Sequence, residues 1–368
     1  MSVQTVEVFR VVSHGPGDCA GVKTLIEQSV LDPKDIVAIL GKTEGNGGVN
    51  DFTREYATTT LSGMLAPLLG IAPTQVEHRI AFVMSGGTEG VLSPHLTIFT
   101  RRQTTKPAIQ SKRLSVGIAL TRVFLPEEIG RPVQIEETAK AVKRAMADAN
   151  IDVCSDVHYV QIKCPLLTAA RVADAHGRGK GTPTGSSYAS MSYSRGASAL
   201  GVALALGELD SPLEDDSVLK DWHQFSRVAS ASAGVELMHS VVIVLGNSPA
   251  SASNYVVGHA VMHDAIDRSG LLSAFVSAGI ASSDDLVSLD TGRIVNVFAK
   301  AEASPNGQIR GYRHTMLDDT DISATRHARA AVGGLIAGFA GHGAVYVSGG
   351  AEHQGPAGGG PVAVVARV

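Results

Sequence analysis

Apolar residues recur along this chain in two rhythms. Short, mostly β-branched runs closed by turn residues predict strands, and longer stretches with apolar positions three and four apart predict helices. Residues 36–40 read as a strand that delivers Lys42, a helix follows from Arg54 to Leu69, and residues 78–84 read as a strand that delivers Ser85. The order then returns. Residues 158–162 deliver Lys163, Arg195 opens a helix reaching about Leu206, and residues 225–231 lead to Ser232. In the last third, residues 294–298 lead to Lys300, Arg326 opens a helix to about Phe339, and residues 344–347 deliver Ser348. A hydroxyl residue suited to helix capping precedes each arginine: Thr53, Ser194 and Thr325.

The three serines each begin a Ser-x-Gly-x-Glu motif, at Ser85–Glu89, Ser232–Glu236 and Ser348–Glu352. One order of parts repeated three times predicts an internal triplication. Alternating strands and helices predict an α/β fold, with three similar units around a pseudo-threefold axis and one central site. The expected units are 1–105, 112–249 and 255–368, with linkers at 103–112 and 247–254. The lysine-to-serine distance is longest in the second unit, where the glycine-rich stretch 177–185 reads as a mobile loop.

Composition narrows the function. The chain has 368 residues, 44% of them apolar and 18% charged, and a net charge of -4. That balance gives no basic surface for nucleic acid or anionic membranes. No apolar run approaches the ~20 residues of a spanning helix, and no secretory signal is visible. Cys19, Cys154 and Cys164 form neither a zinc spacing nor a disulfide framework, so reduced thiols in a cytoplasmic protein are expected.

Lysine and serine brought together at strand ends suit a base and a nucleophile. A serine hydroxyl needs a base within hydrogen-bond reach, and lysine serves only where burial or nearby positive charge lowers its pKa. The alternative for any one pair is two ordinary polar residues, but that leaves the threefold recurrence unexplained. The glycines after the serines suit either an oxyanion hole or a plain tight turn. The arginines offer a planar fork for carbonyl oxygens or anions, against an alternative of solvated helix starts, where cations are disfavoured.

Other motifs fail. Leu40-Gly-Lys-Thr43 lacks the upstream glycine of a phosphate loop, and Thr182 breaks a dinucleotide fingerprint at 177–181. Ser230 stands where a Gly-x-Ser-x-Gly elbow around Ser232 needs glycine. His259 and His263 lie four apart on an expected helix and read as surface or capping residues. The glycine loop 352–360 suits either a hard cation held by carbonyls or a flexible turn.

The stretches 41–47 (GKTEGNG), 49–54 (VNDFTR), 232–237 (SAGVEL) and 348–355 (SGGAEHQG) resemble the cyanuric acid hydrolase and barbiturase family, whose members open cyclic amide rings. The resemblance runs the length of the chain. It implies a small cyclic amide substrate whose carbonyls are held by Arg54 with Ser85 and Gly86, by Arg195 with Ser232 and Ala233, and by Arg326 with Ser348 and Gly349. It implies Ser232 as nucleophile and Lys163 as its base, with Lys42 and Ser85, and Lys300 and Ser348, as supporting pairs. It further implies no organic cofactor, a structural divalent cation of the magnesium type at Glu302, Ala351, Gln354, Gly355, Pro356 and Gly359, and a homotetramer. Ala233 departs from the glycine of the other two copies, although its backbone N–H remains a donor. Cyanuric acid matches three equivalent sets, barbituric acid remains the alternative substrate, and a non-catalytic binder of a threefold ligand is the alternative class.

Overall fold

Three four-stranded sheets, each built from one contiguous stretch of chain, share one wiring. The computed structural model describes residues 3–105, 111–211, 213–214, 217–282 and 289–368, so residues 106–110 of the first expected linker lie outside the described residues. The first sheet comprises β1 (Val3–Val12), β2 (Ile36–Thr43), β3 (Ala81–Gly86) and β4 (His95–Thr104), in the order β1-β4-β2-β3. The second comprises β5 (Arg113–Leu120), β6 (Val157–Pro165), β7 (Ala229–Gly234) and β8 (Val241–Ser248), in the order β5-β8-β6-β7. A third has β9 (Tyr255–Met262), β10 (Ile294–Ala301), β13 (Tyr346–Gly349) and β14 (Gly360–Arg367), in the order β9-β14-β10-β13. The short strands β11 (Gln308–Ile309) and β12 (Tyr312–Arg313) form a separate hairpin.

In each sheet the second and third strands run parallel, and the remaining pairs are antiparallel. Parallel neighbours need a crossover. The principal crossover helices are α2 (Phe52–Leu69), α6 (Ser187–Leu206) and α8 (Ala324–Ala340). Each ends at a glycine with left-handed φ: Gly70, Gly207 and Gly341. Further helices complete the units: α1 (Ala20–Glu27) and α3 (Pro73–Arg79), α4 (Pro132–Asp148) and α5 (Ala169–Gly177), and α7 (Arg268–Ser277). Three expectations shift. His78 ends helix α3 rather than opening a strand, α6 begins eight residues before Arg195, and His259 lies on strand β9 with His263 just beyond it.

Every sheet buries both faces, which is why its strands read as apolar runs rather than strict alternation. One face packs under its own unit's helices. The other faces inward and meets the other two sheets. Val8, Leu40 and Phe99 of the first sheet join Val116, Tyr159 and Leu245 of the second and Val257, Phe298 and Tyr346 of the third in one central core. Phe298 is its hub, with ring centroids 5.2 Å from Tyr159, 5.6 Å from Tyr346 and 6.3 Å from Phe99.

Candidate active site

Strand alternation carries this central core into the site. Ala38, Leu40 and Lys42 point to one face of β2, as Tyr159, Gln161 and Lys163 do on β6 and Asn296, Phe298 and Lys300 on β10. Ser85, Ser232 and Ser348 continue the same inward face on β3, β7 and β13. Parallel pairing sets each lysine level with its serine: Lys42 with Ser85, Lys163 with Ser232, and Lys300 with Ser348. All six residues are buried. The three serines converge, with Ser348 Oγ 3.3 Å from both Ser85 Oγ and Ser232 Oγ.

The lysines are not equivalent. Lys42 Nζ donates to Ser85 Oγ at 3.3 Å. Lys300 Nζ donates to Ser348 Oγ at 3.2 Å, to Gly349 O at 3.1 Å and across the unit boundary to Ala231 O at 3.0 Å. Lys163 Nζ instead pairs with Glu236 Oε1 at 2.7 Å and donates to Met84 O at 3.2 Å. Burial, and then the Arg329 guanidinium, push the pKa of Lys42 well below the ordinary lysine value. Burial and Arg195 push Lys300 down to about 7. Burial also lowers Lys163, against the pull of Glu236. Burial disfavours a charged Glu236, but Lys163 and Arg54 outweigh it and hold that carboxyl at about 2.

Arginines close the chamber from neighbouring units. Arg195 pairs with Glu352 through Nε at 2.8 Å and Nη2 at 2.6 Å. Arg329 pairs in the same way with Glu89, through Nε at 2.7 Å. Arg54 donates to Ala233 O at 3.3 Å and Gly48 O at 2.8 Å, while its buried Nε has no partner among the described residues. Together with Ser85, Gly86, Ser232, Ala233, Ser348, Gly349, Gly47 and Met191, these three arginines line a central chamber.

The third arginine of the chamber is therefore Arg329, not Arg326. Arg326 and Arg54 occupy the same third position of their helices, which explains the sequence expectation. On α8, Arg326 lines the mouth, and Arg329, about one turn along and only 4% exposed, reaches the chamber. The usable signal was the repeated motif's glutamate, since Glu89 and Glu352 each grip the arginine of a neighbouring unit.

The second unit breaks this pattern at its turn. Gly87 and Gly350 adopt φ of +108° and +75°, and an added Cβ would lie 2.5 Å from Arg329 and 2.6 Å from Arg195, respectively. The corresponding Gly234 has no such positive φ. Glu236 accordingly turns to Lys163 instead of forming the two-pronged arginine pair.

Beside the chamber lies the loop that follows Ser348. Glu302 is a largely buried carboxyl pushed up to about 7 by burial and by Glu352. Its one recorded hydrogen bond, from Gly358 N, is long at 3.4 Å. No cluster of three His, Cys, Asp or Glu side chains suits a metal among the described residues. Glu302 touches this loop at Gly358 N, and a carboxylate beside loop carbonyls is the oxygen-donor chemistry that a hard cation takes. The loop also braces β7, because Gln354 Oε1 accepts from Ala231 N at 2.6 Å.

A chamber of serines, buried lysines and arginines, one set from each unit, has the make-up of a hydrolase site. The chain belongs to the amidohydrolase ring-opening family, whose model matches residues 7–367. It is 64% identical over 371 residues to the cyanuric acid amidohydrolase of Bradyrhizobium diazoefficiens, covering all of both chains. It is 59% identical to the enzyme of that name from Pseudomonas sp. strain ADP, over 98% of this chain and 99% of the relative. A solved cyanuric acid hydrolase, described as an evolutionary innovation by structural concatenation, superposes with a TM-score of 0.93 at 58% identity over the whole of both chains.

Proposed function

We propose that this protein is a cyanuric acid amidohydrolase. The observation that carries the reading is the buried, unpartnered Nε of Arg54 in a chamber where three serines meet. A buried guanidinium N–H without an acceptor is costly, and a ring carbonyl supplies one. The relatives named for this activity match end to end, which supports the substrate.

In this reading Ser232 is the nucleophile and Lys163 its base. Lys300 engages three acceptors and is fixed in place, and Lys42 holds Ser85. In its neutral form Lys163 turns from Glu236 to Ser232, takes the hydroxyl proton as Oγ bonds to a ring carbonyl carbon, and returns it to the ring nitrogen as the C–N bond breaks. Arginines and the backbone N–H groups after the serines hold the carbonyl oxygens. Water then cleaves the acyl-enzyme to carboxybiuret, which loses carbon dioxide to leave biuret. Ser232→Ala should abolish turnover, and Ser85→Ala and Ser348→Ala should leave measurable rates. An active Ser232→Ala beside a dead Ser348→Ala would move the chemistry to Lys300, the lysine held at about 7.

Barbituric acid remains the second substrate to assay, since it also presents three ring carbonyls. No organic cofactor enters this chemistry. A divalent cation of the magnesium type, held by Glu302 and the loop carbonyls of Ala351, Gln354, Gly355, Pro356 and Gly359, would supply fixed charge and loop rigidity. A homotetramer is the assembly we propose, and sedimentation as a monomer would refute it.

A further inference from the structure

The chamber opens to solvent through a vestibule of about 480 Å³ lined by residues 46–50, Ser187, Tyr188, Met191, Ser192, Arg195, Ser323, Thr325, Arg326, Arg329 and Gly349. The two spaces share Gly47, Met191, Arg195, Arg329 and Gly349, so they are continuous. No carboxylate lines the vestibule, while three arginines do. Two of these are neutralised: Arg195 by Glu352 and Arg329 by Glu89. Arg326 has no carboxylate partner among the described residues. Its recorded side-chain bond runs from Nε to the Ser323 hydroxyl at 3.2 Å.

This placement weakens α8. A cation in the first turn opposes the helix dipole. Ser323 stands at the N-cap, yet its hydroxyl engages Arg326 and makes no capping bond to the helix backbone. Helix stability alone favours an acidic or neutral residue there. A reason outside the helix is therefore required, and the carboxylate-free mouth supplies one.

We propose that Arg326 is the capture residue of the vestibule, drawing the anionic form of the ring toward the chamber without taking part in bond cleavage. The inference rests on the cyclic-imide substrate proposed above. A ring N–H between two carbonyls is acidic, so much of the substrate carries a negative charge at mildly alkaline pH. A lone positive charge in a concave, carboxylate-free mouth raises the local concentration of such an anion, and added salt screens the effect. The inner arginines, compensated by Glu352 and Glu89, hold carbonyl oxygens with little net field.

The test compares wild type, Arg326→Gln and Arg326→Lys on cyanuric acid at mildly alkaline pH, from about 0.01 M to about 0.3 M ionic strength. Wild-type kcat/KM should fall several-fold with salt. Arg326→Gln should start about fivefold lower in kcat/KM, lose most of its salt dependence and keep kcat within about twofold. Arg326→Lys should restore both the rate and the salt slope, because steering needs charge and not the planar fork. Equal salt slopes for wild type and Arg326→Gln would overturn the capture role. An equal fall of kcat and kcat/KM would overturn it too, by placing Arg326 in the transition state. A wild-type enzyme inert toward cyanuric acid would instead sink the substrate reading, and this inference with it.

Discussion

Glu236 is the residue at which the threefold pattern becomes unequal. Its counterparts Glu89 and Glu352 neutralise arginines, whereas Glu236 lies 2.7 Å from the Lys163 ammonium nitrogen. A carboxylate stabilises the protonated amine and so raises the pKa of Lys163. Removing that charge in Glu236→Gln should lower it, leaving the lysine a free base at lower pH. The acid limb of the kcat/KM profile should then move down by about one pH unit. The substrate's own ionisation is identical in both proteins and cancels in the comparison. A limb that stays fixed or moves up would mean that Lys163 is not the base. The sequence showed the glutamate in all three motifs but not its partners, because Gly234 differs from Gly87 and Gly350 in backbone conformation rather than in identity.

Among the elements, α6 shows how a crossover helix is held. It is buried nearly all round, and α4 lies so close that an added Cβ at Gly201 would come 2.6 Å from Ile135 O. Gln134 of α4 donates to Ser194 Oγ at 2.9 Å and Ser198 Oγ at 3.0 Å, next to Arg195 on the same helix. Gly201→Val should force the two helices apart and cost about 2–3 kcal/mol, read as a fall in chemical-denaturation midpoint. Turnover should fall as well, since Arg195 rides on α6. Unchanged stability would show that the helix contact is softer than this geometry requires. The helix itself was legible from its apolar spacing. Its true start at Ser187 was not, because the serines and tyrosines of its first two turns carry little apolar rhythm.

On the scale of the whole molecule, the loop after Ser348 ties the third unit to the second. Ser226 N donates to His353 O and Gly355 N to Ser226 O, both at 2.9 Å, and Glu352 grips Arg195. If a cation joins Glu302 to that loop, its removal loosens the boundary on which Ser232 sits. Thermal midpoint should therefore fall by several degrees on chelation and recover with excess Mg2+. Glu302→Gln should be insensitive to both treatments. A wild-type midpoint unmoved by chelator would remove the cation from this account. Among the described residues no helix is long and apolar enough to cross a membrane.

The sequence by itself determined the triplication, the α/β character and the pairing of each lysine with its serine. Strand alternation and repeated order are local properties, and they survive in one dimension. Only the tertiary structure decided which arginine fills the third wall and which lysine stands apart. Those outcomes depend on which turn of each helix faces the chamber and on which unit's glutamate lies across the boundary. Such contacts join residues far apart in the chain, and no local rhythm records them.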